Sequence, residues 1–153
     1  AVLVTGRSTR SQWRNDSQLK VGTEVLSALQ KRVSSINELA YLADKNSDDG
    51  EKAWLAECAA VMEWNNARHA ALLISPPNIV ALLQALDGQS DSLLVQAMAR
   101  QWTLGEFRKE RDSLGRLAAN YLDAVRAAAG WPPLQLKSLW TWDQAEEPPD
   151  VTA

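Results

Sequence analysis

Apolar positions recur along most of this chain at alternating three- and four-residue steps, the spacing that lays one face of a helix against a core. After Gly22, the residues Leu26, Leu29, Val33, Ile36, Ala40 and Ala43 form such a seam, with Thr23 placed to cap its start. The polar run Lys45-Asn46-Ser47-Asp48-Asp49-Gly50 predicts a turn. Asp48 or Asp49 then caps a second helix whose stripe is Ala53, Trp54, Cys58, Val61 and Met62, continuing past Asn65-Asn66 towards Ile74. Ser75-Pro76-Pro77 predicts a boundary, with Ser75 as N-cap and Pro76 at the first helical position, where a missing N–H costs nothing. Ile79, Val80, Leu82, Leu83 and Leu86 make the third helix apolar around most of its circumference, so it should be central, and Asp87-Gly88 should end it. A short fourth helix then spans 91–101. Thr103-Leu104-Gly105-Glu106 has capping-box spacing and opens the fifth and longest helix, which runs to Gly130. Its seam is Leu104, Phe107, Leu114, Ala118, Tyr121, Val125 and Ala128, interrupted by Arg111, and Trp131-Pro132-Pro133 stops it.

The two ends lack this periodicity. Residues 1–22 read as an irregular basic arm, with Arg7, Arg10, Arg14 and Lys20 opposed only by Asp16. Val2-Leu3-Val4-Thr5-Gly6 has the outline of a strand entering a nucleotide-binding turn, but further glycines and a βαβ alternation are missing, so an edge strand or loose arm is expected. Residues 143–153 read as a disordered acidic tail carrying Asp143, Glu146, Glu147 and Asp150. The expected organisation is therefore a single all-α domain over 23–142, a small bundle of about five helices, between arm and tail.

Composition agrees with an all-α class. Ala and Leu number 44 against 13 for Ile and Val, a balance that favours helix over strand. With 46% hydrophobic and 23% charged residues in 153, the chain can bury a core as one globular domain. No apolar run approaches the length of a membrane span and no basic-then-apolar leader opens the chain, so a cytoplasmic protein without membrane contact is expected. Seven Trp against one Phe exceed what a small core easily absorbs, which predicts that one or two lie on a contact surface.

Candidate chemistry is sparse. Cys58 and His69 are the lone thiol and imidazole, eleven positions apart, too few to complete a zinc site and without a third group for nucleophilic catalysis. Cys58 is expected as a small core residue and His69 as a half-exposed one. No Walker-type loop occurs, and Asp48/Asp49 and Glu146/Glu147 stand in polar settings that would not raise a carboxyl pKa. The expectation is a non-enzyme with no cofactor and no metal.

One segment suggests nucleic acid. Residues 96–116 can be drawn as a helix, a turn at Trp102-Thr103-Leu104-Gly105, and a second helix bearing Arg108, Lys109, Arg111 and Arg116, with Arg100 just before it. Glu106, Glu110 and Asp112 interleave those cations and the chain carries a net charge of -3, which weakens phosphate attraction. A DNA-binding regulator is therefore the alternative reading.

The run from Asn66-Ala67-Arg68-His69-Ala70 through Ser75-Pro76-Pro77 to Leu82-Leu83-Gln84-Ala85-Leu86 resembles the Ead-type early-region proteins of lambdoid phages, which carry a similar Asn/Asp-Ala-Arg phrase followed by Ser/Asn-Pro and an apolar helix. The resemblance covers residues 66–86. This chain departs from it at Asp87-Gly88-Gln89, where such proteins continue into a charged coiled coil. It implies a phage or prophage origin and an accessory protein that binds and alters a host protein in the host cytoplasm, and it brings no catalytic residues. A homo-oligomeric assembly protein, in the simplest case a homodimer, is the other alternative. The contact surface is expected between residues 131 and 142, at Trp131, Leu139, Trp140 and Trp142, unless that segment instead closes the open end of the bundle with its indoles buried.

Overall fold

A computed structural model describes residues 2–140, with side chains from Thr9 onward. The acidic segment 143–153 and Trp142 lie outside the described residues. The described chain is all-helical and forms a bundle: α1 (Val2–Tyr41), α2 (Asp48–Ile74), α3 (Pro77–Ala99) and α4 (Leu104–Ala128), followed by a non-helical strap over 131–140. Among the described residues there are four helices, not five, and two expected boundaries are absent.

The first is at Gly22. Residues 2–22 are neither a strand nor a loose arm but the first half of α1, a single helix of 40 residues. Gly22 does not mark a start. It lies against α4, where a Cβ would stand 2.7 Å from Val125 Cγ1, so its missing side chain lets two helices approach. The Thr23 hydroxyl donates back to the Leu19 carbonyl (2.9 Å) inside the helix, as threonines do in mid-helix, and caps nothing. Gln18 Nε2 donates to the Ile74 carbonyl (2.6 Å), supplying a partner at the end of α2 and tying α1 down well before the expected seam.

The second is at Asp87-Gly88, which α3 passes through. The Asp87 carboxylate accepts from the Trp64 indole N–H (2.7 Å) and pairs with Arg68 (3.5 Å), so α2 holds it. Leu83 and Leu86 before this point and Leu93 after it are buried on one face, which offsets the roughly 1 kcal/mol that a mid-helix glycine costs relative to alanine.

Local signals fix the remaining ends with small shifts. Ser47 caps α2, its hydroxyl accepting from Gly50 N (3.1 Å), while Asp48, Asp49 and Glu51 occupy the first turn where the helix dipole favours them. Ser75 closes α2 through its N–H to Ala71 O (3.0 Å), and Pro76 and Pro77 open α3. The capping box at α4 forms as expected, with Glu106 N donating to Thr103 Oγ1 (3.3 Å) and Thr103 N to Glu106 Oε2 (2.8 Å). The α3–α4 turn is fastened to the end of α1 by Trp102 N to Ala40 O (2.8 Å) and Gln101 Nε2 to Tyr41 O (2.9 Å).

α1 is the spine of the bundle. It packs against α2, α3 and α4, and α3 packs on α4, whereas α2 and α4 do not meet among the described residues. Of the expected α1 seam, Leu29, Val33, Ile36 and Ala40 are buried, Leu26 is half-buried and Ala43 is exposed beyond the helix end. In α4, Phe107, Leu114, Ala118, Tyr121 and Val125 are buried, while Leu104 and Ala128 at the two ends are exposed.

Candidate functional site

α4 ends at Ala128 and is followed by Gly130, whose φ of +81° takes the left-handed position that a side chain disfavours. The strap then runs back along α4. Asp123 accepts from Leu134 N (2.8 Å) and Gln135 N (3.2 Å), and Arg126 Nε donates to Pro132 O (2.8 Å). Leu139 N donates to Gly115 O (3.0 Å). A Cβ on Gly115 would stand 2.2 Å from Ser138 Oγ and 2.7 Å from Trp140 Cε3, so the strap fits only against a bare helix backbone there. Trp140 is 6% exposed, and its indole N–H donates to the Gln30 side-chain oxygen of α1.

This geometry separates the four expected contact residues. Trp131 is exposed (54%), with the Arg126 guanidinium 5.6 Å from its ring centroid. Leu139 is half-buried, Trp140 is part of the core and Trp142 lies outside the described residues. At Trp140 the strap therefore seals the groove between α1 and α4 and does not present its indole to a partner. Of the other tryptophans, Trp64 is buried, Trp102 is half-buried, and Trp13 and Trp54 are exposed.

The five candidate cations are also not equivalent. The Arg100 guanidinium stacks 3.8 Å over the Trp102 ring and pairs with Glu106 (3.2 Å), and Arg116 pairs with Asp112 one turn away. Lys109 is exposed, and Arg108 and Arg111 are half-buried. Arg111 lies 5.8 Å from the Trp140 ring centroid, and its pKa is pulled down by burial first and by the neighbouring Arg108 charge second.

α2 carries features that its spacing concealed. Of the expected stripe, Ala53 is buried and Val61 half-buried, but Trp54, Cys58 and Met62 do not lie on the inner face. The inner face is Gly50, Ala53, Glu57, Ala60, Trp64 and Ala71, whereas Trp54, Leu55 (61% exposed), Cys58 and Met62 (68% exposed) face solvent. The inner face is built mostly of small residues, with Glu57 and Trp64 among them, while four larger apolar or thiol side chains lie on the outer face. Cys58 is thus a surface thiol and not a core residue, and His69 is exposed.

The inner face also buries a charged network. Arg32 of α1, 2% exposed, donates from Nε to Glu57 Oε1 (3.2 Å), from one terminal nitrogen to Ser90 Oγ (2.6 Å) and from the other to Asp91 Oδ1 (2.6 Å). Ser35 donates to the other Glu57 oxygen. Burial raises the Glu57 pKa, opposed by the hydrogen bonds from Ser35 and Arg32. Arg32 beside Val33 and Glu57 beside Cys58 look like surface charges in sequence, and only the long-range pairing reveals them.

Among the described residues no group of three or more His, Cys, Asp or Glu side chains is gathered as a metal site requires, and no helix is long and apolar enough to cross a membrane. No family model, curated protein or solved structure matches the chain.

Proposed function

We propose that this protein is a non-enzymatic helical module that acts by protein–protein contact, with the outer face of α2 as its contact surface. The observation that carries this reading is the exposed row Trp54, Leu55, Cys58 and Met62, spaced to lie along one side of α2 away from its buried face. A contiguous exposed apolar patch of this kind marks an interaction site. Trp54 and Met62 add residue types that interfaces favour, a large rigid indole and an adaptable thioether. The resemblance at residues 66–86 to Ead-type phage proteins supports a phage-encoded accessory protein whose partner is a host factor in the cytoplasm. The nucleic-acid reading draws less support, since Arg100 and Arg116 are engaged by neighbouring carboxylates.

The test uses the full chain as bait in lysate of the presumed host, beside a Leu55→Glu/Met62→Glu variant with an unchanged circular dichroism spectrum. The expected result is one partner held by the wild type and lost by the variant, with Cys58 protected from maleimide in the complex. Capture that survives both charges, or a Cys58 equally reactive free and bound, would place the contact elsewhere. Sedimentation of the free chain decides the homodimer alternative, which requires a dimer that the same two charges dissociate.

A further inference from the structure

α1 continues past the two points at which the other helices grip its first half. Gln18 meets the end of α2 and Gly22 meets α4, and over 9–17 the helix is exposed along most of its surface. In 9–18 Trp13 is the one apolar residue, 70% exposed, and the others are Arg, Ser, Thr, Gln, Asn or Asp. Arg10 and Arg14 are exposed, lie one turn apart on the same face, and have no ion-pair partner among the described residues. In this they differ from Arg100 and Arg116, which carboxylates engage.

Beside these arginines is a cleft of about 400 Å³ between α1 and the start of the strap, a volume in the range of small-ligand sites. Ser11, Gln12, Asn15 and Asp16 line one wall, and Ala129 and Trp131 line the other. The Trp131 N–H donates to the Arg126 carbonyl (2.8 Å), which fixes the backbone that presents the exposed indole. An aromatic wall opposite amides, a hydroxyl and a carboxylate suits a nucleobase, whose ring stacks on the indole and whose edge exchanges hydrogen bonds with the polar wall. Asp16 would repel a bare phosphate in the cleft but accepts from a base amino group. The adjacent guanidiniums are the groups that bind phosphate. A lipid surface calls for a continuous apolar helix face, which 9–18 lacks. An acidic peptide would use the arginines and leave the cleft empty. A duplex keeps its bases stacked on one another, so the unpaired strand is the better fit.

We propose that this cleft and its neighbouring arginines bind single-stranded nucleic acid, with one base stacked on Trp131 and the flanking phosphates on Arg10 and Arg14. The site is distinct from the segment 96–116. It does not rest on the α2 reading, since no residue of α2 belongs to it.

The experiment is fluorescence anisotropy of a labelled mixed-sequence DNA oligonucleotide, single-stranded or annealed to its complement, titrated with the full chain. The single strand should bind more tightly than the duplex, and its affinity should fall as salt rises. Arg10→Gln/Arg14→Gln should make the slope of log affinity against log salt shallower by about 1.4, two single-strand phosphates at about 0.7 each. Trp131→Ala should weaken single-strand binding about fivefold or more, the low end of what one stacked base contributes, and leave that slope unchanged. All three residues are exposed, so both variants should keep the wild-type circular dichroism spectrum. A wild-type chain that binds no single strand at low salt, where charge attraction is strongest, would overturn the proposal. Binding that Trp131→Ala leaves intact, or a duplex held as tightly as the single strand, would overturn it too, by reducing the site to surface charge open to any polyanion, acidic proteins included.

Discussion

The indole N–H of Trp140 donates to the side chain of Gln30, a contact spanning 110 positions that joins the last described residue to the helix at the centre of the bundle. It makes the strap part of the core. Replacing Trp140 with alanine should cost about 3–5 kcal/mol, the range for a deeply packed indole. Trp140→Phe, which retains most of the packing and loses the hydrogen bond, should cost nearer 1 kcal/mol for the bond itself. Gly115→Ala should destabilise as well, despite alanine's better helix propensity, because its Cβ would meet Ser138 and the Trp140 ring. Urea unfolding with a constant m-value measures all three. A Trp140→Ala chain as stable as wild type would show the strap to be ornamental.

The second prediction concerns the Arg32 network. Glu57→Ala leaves a buried guanidinium facing a cavity with only the more exposed Asp91 to balance it, and should cost about 3–5 kcal/mol. The double change Arg32→Met/Glu57→Leu removes both charges and should cost markedly less than the sum of the single changes. A double-mutant cycle by denaturant unfolding reads the difference. Additive costs would mean that the two side chains do not act as a pair.

A third prediction is a pH dependence at the start of α4. The Thr103 backbone N–H first, then Arg100 and the Thr103 hydroxyl, hold Glu106 down to about 2 from an ordinary 4.5. As pH falls, the unfolded chain takes up this proton first, so the stability that Glu106 contributes is complete above about 4.5 and is lost as pH falls towards 2. Glu106 is exposed, so added salt should weaken the effect. Denaturation midpoints across this window should fall more steeply for wild type than for Glu106→Gln, which keeps an acceptor for Thr103 N–H but does not titrate. Equal slopes would remove the capping box from the acid response.

What could be read from sequence was what depends on near neighbours. Thr103 and Glu106 satisfy each other within one turn, and Gly130 ends α4 by its own backbone freedom, so both were visible. Gly22 and Gly88 have the same composition signal and no such role. One admits Val125 from a distant helix, and the other lies in a helix held from both sides by its buried leucines. On α2 the outer face passes for the inner one because Trp54, Cys58 and Met62 repeat at the helical period as faithfully as Glu57, Ala60 and Trp64 do. Periodicity finds faces but does not say which one is inside. The Arg32–Glu57 pair depends on a partner 25 positions away, which no local pattern encodes, and the sequence leaves Trp140 open between contact and burial because its partner lies 110 positions away.

The position of the strap also sets an order of events during synthesis. Gln30 and the rest of α1 leave the ribosome early, and α4 can pair with α1 as soon as it is complete. Trp140 emerges only after Gly130 has turned the chain back, so the α1/α4 groove stands open, with its apolar floor wet, until residue 140 is out. Closing it is a long-range step with a large loop to close, and belongs to the slow end of folding. A nascent or truncated chain lacking the strap is thus a helical bundle with one seam unsealed, the form in which this protein is most exposed to a protease or a chaperone.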